Sequence, residues 1–77
     1  MFHWRGYRFY YFSNEGSEPP HIHIDKDHKT VKFWLDPVSI ARNIGFSAQE
    51  ITRLASKLRE EQTMLLEVWH EHFGNKS

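Results

Sequence analysis

His21 and His23 stand in the most unusual stretch of this chain, Pro19-Pro20-His21-Ile22-His23-Ile24-Asp25. In extended backbone, residues i and i+2 share one face with Cβ atoms about 7 Å apart. Two chemistries fit that spacing. Neutral imidazoles so placed ligate zinc or copper, and imidazole is well tuned for acid/base work near neutral pH. A plainer alternative is a pair of half-exposed histidines on a polar sheet face. No third ligand is identifiable, so metal ligation ranks last and no metal or cofactor is assigned.

The neighbours favour chemistry on phosphate. His21-Ile22-His23-Ile24-Asp25 alternates with period two, and so does the run over residues 29–36. Joined by the polar turn Lys26-Asp27-His28, the two make a hairpin. Its polar face then carries His21, His23, Lys32 and Trp34. Arg8 and Tyr10 join if the first strand pairs alongside. Such a face suits metal-independent RNA cleavage. One group takes the 2′-hydroxyl proton and another protonates the 5′-oxygen, while a cation steadies the phosphorane and an aromatic ring stacks on a base. Trp34 equally fits a core position under a helix. No Ser–His–Asp order, glycine-rich phosphate loop or two-metal carboxylate set occurs.

These residues need a scaffold, and 77 residues allow one domain. The expected architecture is α+β: an antiparallel sheet of 3–4 strands packed by one long C-terminal helix. Strands are expected at about 4–12, 21–26 and 29–36, with a further one or an extended connector at 38–44. Residues 13–20 read as a loop, and Asp36-Pro37 ends a strand. Ser47 and Glu50 form a capping-box pattern, with Phe46 placed as a hydrophobic staple, so a helix should run over about 47–73. Ile51, Leu54, Ala55, Leu58, Leu65 and Trp69 make its apolar stripe. Near its end Met64, Leu66, Val68 and Phe73 widen that stripe beyond one face, marking Met64, Leu66, Trp69 and Phe73 as candidate partner-binding residues.

Ten basic and ten acidic side chains balance, which argues against holding nucleic acid by bulk charge but not against a local basic face. The chain has no cysteine, so six Phe, three Tyr and three Trp must supply much of the cohesion, with a partner or a homodimer supplying the rest. No apolar run of signal or membrane-spanning length opens or interrupts it, and a cytoplasmic protein is expected.

The sequence resembles a bacterial family of very small proteins described as a domain of unknown function. The resemblance rests on Tyr11 to Gly16, the Glu18 to His23 segment with Pro-Pro-His-Ile-His, Lys32 to Leu35, and Trp69 to Phe73. Some members are described as DhiT-type toxins of type II toxin–antitoxin modules. The resemblance therefore implies a toxin-like protein with a small cognate partner, and supplies no catalytic residues. Three expectations follow: a toxin acting on RNA or translation, a non-catalytic interaction module, and a histidine-based metal-binding protein.

Overall fold

Positive φ at two consecutive residues, Arg5 (53°) and Gly6 (84°), turns the chain back on itself almost at once. In the computed structural model, which describes residues 2–11 and 18–73 apart from the side chains of Phe2 and Phe73, this turn joins β1 (Phe2–Trp4) to β2 (Tyr7–Tyr10). The single strand expected over 4–12 is therefore a hairpin of two. Tyr11 follows β2 outside the strand, and residue 12 lies outside the described residues. A two-residue turn of this kind wants positive φ at both central positions, which Asn, Asp or Gly announces in a sequence and Arg5 does not.

Three further strands follow: β3 (His21–Lys26), β4 (Lys29–Leu35) and β5 (Val38–Ile44). The sheet is an antiparallel meander of five strands in order β1-β2-β3-β4-β5. Asp36-Pro37 turns β4 into β5, so the segment 38–44 is the extra strand. One irregularity interrupts the register: Lys32 opposes Arg42 while Phe33 opposes Ile40, leaving Ala41 as a bulge.

One face of the sheet is apolar. Tyr7, Phe9, Ile22, Ile24, Val31, Phe33 and Leu35 are all buried there. α1 (Ala48–Glu60) covers them with Leu54, Ala55 and Leu58, and α2 (Gln62–Phe73) with Leu65. Burying each large aliphatic or aromatic side chain contributes about 1.5–3 kcal/mol.

The helix expected over 47–73 is two helices. The chain turns at Glu61 (φ −102°, ψ 10°), and Gln62 Nε2 donates to the Leu35 carbonyl oxygen at 2.6 Å. Neither glycine nor proline marks the break; a tertiary hydrogen bond to the end of β4 accompanies it.

The capping box forms as expected: Glu50 N–H donates to Ser47 Oγ at 3.1 Å, and Ser47 N–H donates to Glu50 Oε1 at 3.1 Å. Glu50 also accepts from Lys29 Nζ at 3.0 Å and from Tyr7 Oη at 3.2 Å, tying the helix start to β2 and the start of β4. The Ser47 N–H, with help from Lys29, holds its carboxyl at about 2 against an ordinary 4.5. A folded-state value below the unfolded one stabilises the fold above the unfolded value and is lost as pH falls through the folded one. Acid should thus weaken the wild type between pH 4.5 and about 2. Thermal melts of Glu50→Gln should show a shallower loss across that interval, and parallel losses would place the acid sensitivity elsewhere.

Candidate functional site

Alternation that buries one side of β2, β3 and β4 delivers the other side chains to the open face of the sheet. Tyr10 lies opposite His23, His23 opposite Lys32, and Lys32 opposite Arg42. Phenol, imidazole, ammonium and guanidinium therefore form one row across four strands. A second row holds Arg8, Asp25, Thr30 and Ile44, and a third holds His21, Trp34 and Ser39. A groove of about 610 Å³ runs over this face, with Tyr10, His23, Thr30, Lys32, Trp34 and Arg42 in its walls.

The two histidines share a face and differ in depth. His23 is half-buried and lines the groove, its ring stacked on Tyr10 at 5.5 Å. His21 is 1% exposed. Its ring packs on Trp69 of α2 at 5.0 Å and meets His23 and Trp34 edge-on at 5.3 and 5.7 Å. His21 Nδ1 lies 2.9 Å from the Pro19 carbonyl oxygen. A carbonyl only accepts, so Nδ1 is the donor in this contact. His21 thus flanks the site one row away, covered by Trp69, while His23 faces the groove.

Asp25 organises the second row. It accepts from Thr30 Oγ1 at 2.6 Å, from Tyr10 Oη at 3.1 Å and from Arg8 Nη2 at 3.2 Å. Burial pushes its carboxyl up, but the hydrogen bonds from Thr30, Tyr10 and Arg8, with the Arg8 charge, hold it below the ordinary value. Burial first, and then Asp25, push the Tyr10 phenol up, so Tyr10 stays protonated at neutral pH. Lys32 Nζ lies 2.7 Å from Glu18 Oε1 and 4.9 Å from the centre of the Trp34 ring. Glu18 also lies 3.8 Å from His21 Nδ1. Arg42 is exposed and has no carboxylate partner among the described residues.

Of the residues singled out by sequence, Tyr10, His23, Lys32 and Trp34 line the groove, with Arg8 and His21 in the rows on either side. Trp34 is on the open face, not under the helices. Of the candidate binding residues on α2, Met64 is 40% exposed, Leu66 packs partly against the core, and Trp69 is 4% exposed and packs against His21 and Tyr11. The Phe73 side chain lies outside the described residues. Thr30, Glu18 and Arg42 are not marked as site residues by the sequence, and Asp25 is marked there only as a possible third ligand beside the two histidines or as a turn former. Asp25 shares the parity of His21 and His23, which was its one legible signal. No group of three or more His, Asp or Glu side chains converges among the described residues. No helix among them is long and apolar enough to cross a membrane.

A family model described as a domain of unknown function (DUF4160) matches residues 6–70. No curated protein and no solved structure matches.

The difference in depth between the histidines is measurable. His21→Ala opens a cavity beneath Trp34 and Trp69 and should cost about 3 kcal/mol in urea unfolding. His23→Ala removes a half-exposed ring and should cost under about 1 kcal/mol. Equal losses would show that both rings carry the same structural weight.

Proposed function

We propose, from the premise that this chain belongs to the family of the domain of unknown function DUF4160, that it is a toxin-like protein acting on RNA through the open face of its sheet. The in-register row Tyr10–His23–Lys32–Arg42 carries the reading. It sets a base and two cations side by side over a groove large enough for a nucleotide. The neutral net charge is no obstacle at this scale, because Arg8, Lys32 and Arg42 are gathered on one face.

The chemistry follows from the positions. His23 takes the 2′-hydroxyl proton as that oxygen attacks phosphorus. The O2′–P bond forms and the P–O5′ bond breaks. The Lys32 ammonium gives its proton to the departing 5′-oxygen, and Arg42 stabilises the charge on the phosphorane. The products are a 2′,3′-cyclic phosphate and a 5′-hydroxyl. An incoming phosphate displaces Glu18 from Lys32, and Trp34 offers a ring for base stacking. Tyr10 is a positioning residue: its hydroxyl is held by Asp25 and its ring fixes the His23 plane.

Induced expression in a bacterial host, with growth and total RNA followed together, tests this. Wild type should arrest growth and cleave RNA. His23→Ala should lose about 100-fold or more of the cleavage rate while remaining folded, and Arg42→Ala should weaken it without changing the products. Intact RNA with the wild type, or cleavage that survives His23→Ala, would overturn the reading.

A non-catalytic interaction module is favoured by one observation, the exposed Met64 on α2. Leu66 packs against the core, so its substitution would confound binding with folding. Met64→Asp should leave the melting temperature unchanged and abolish relief of arrest by a cognate small protein. Relief that persists removes Met64 from the interface.

A further inference from the structure

A second cleft lies between the β1–β2 turn and α1, apart from the His23 row. It encloses about 320 Å³ and is lined by Trp4, Arg5, Thr52, Arg53, Ser56 and Lys57, together with Glu60. Two cations, Arg5 and Lys57, converge on one aromatic ring, and Arg53 lines the same cleft. Arg5 Cζ and Lys57 Nζ lie 5.2 and 5.3 Å from the centre of the Trp4 ring. That ring is fixed from behind by stacking on Tyr7 at 6.1 Å and an edge contact with Phe9 at 6.3 Å. Lys57 is paired with Glu61 at 3.2 Å, whereas Arg5 and Arg53 have no carboxylate partner among the described residues.

The backbone adds an independent sign. Arg5 occupies a left-handed position, φ 53°, in a two-residue turn. Asn, Asp or Gly fills that position at little cost, and a long β-carbon-bearing side chain does not. Strain accepted at one residue points to what its side chain does. Here the side chain brings a guanidinium over Trp4, in a cleft that Arg53 also lines.

We propose that this cleft binds the phosphate of a nucleotide. Arg5 and Arg53 provide forked, charge-assisted donors, and Thr52 and Ser56 provide hydroxyls. Among the described residues Trp4 is the single large apolar group in the lining, which suits a nucleotide and offers little to anchor a peptide. Two sources present the same chemistry, a free mononucleotide and the backbone of a single-stranded RNA.

The test is to titrate the 15N-labelled protein with uridine monophosphate, with a short single-stranded RNA and with an acidic peptide, following the Trp4 indole resonance assigned through Trp4→Phe. The Trp34 indole reports the open face separately, so failure of one site does not pass for failure of the other. A saturable shift of Trp4 with the monophosphate identifies a free nucleotide, and a shift with RNA alone identifies a strand. Arg5→Gly should weaken binding about tenfold or more while raising the melting temperature, since it removes a charged donor and relaxes the turn. The exposed Arg53→Gln should weaken binding without moving the melting temperature. No Trp4 shift with either phosphate ligand, unchanged affinity in both variants, or an equal shift with the acidic peptide would overturn the proposal.

Discussion

Register in the β3–β4 hairpin is the constraint on which the rest depends. Ile22 opposes Phe33 and Ile24 opposes Val31, all four essentially inaccessible to solvent. Sliding one strand by a single residue would carry its apolar set to water and force its polar neighbours into the core. With several large side chains at about 1.5–3 kcal/mol each, that slip is closed to a domain this small. The polar face inherits the same precision. His23 meets Lys32, and His21 meets Trp34, because their neighbours must be buried. The row extends to Tyr10 for the same reason, because buried Phe9 fixes the faces of β2, and it reaches Arg42 past the bulge at Ala41.

Much of this was legible in the sequence because burial writes a period. Alternation over 21–36 marks the hairpin, its faces and three residues of the groove, His23, Lys32 and Trp34. Ser47 and Glu50 marked the helix start. Three features were not legible, each for a physical reason. The turn at Arg5-Gly6 uses a residue with no turn propensity at one of its two positions. The break at Glu61 carries no local breaker and coincides with a hydrogen bond from Gln62 to a strand 27 positions earlier. Depth on a face is also invisible to parity. His21 and His23 have identical local patterns, yet only one lies under Trp69.

That covering explains why the chain does not run on as one straight helix. A turn at Glu61 lets α2 start from the end of β4, held by Gln62. Leu65 then reaches the core while Trp69, one turn further on, rests on His21 and Tyr11. Tyr11 Oη donates to the Leu65 carbonyl oxygen at 2.8 Å, fastening the segment after β2 to the same helix. In a chain without disulfides, a packed group of rings at the end of the sheet does part of a staple's work. His21 belongs to that group as much as to the site, so the stiffness of the groove floor and the stability of the domain have one source.

Polar order is divided between the two sides in a similar way. Glu50 gathers Ser47, Lys29 and Tyr7 on the helix side, and Asp25 gathers Thr30, Tyr10 and Arg8 on the open side. Each carboxylate is saturated by donors from separate parts of the chain, which fixes geometry and leaves little charge for a ligand. The cations without carboxylate partners among the described residues stand elsewhere, and two occur where the backbone departs from regularity. Arg42 follows the Ala41 bulge, and Arg5 sits at positive φ in the first turn. Natural sequences break local rules mainly where a site requires it. On that ground the two irregularities and their arginines belong together, one at each of two clefts, and both point to anions as what this surface receives.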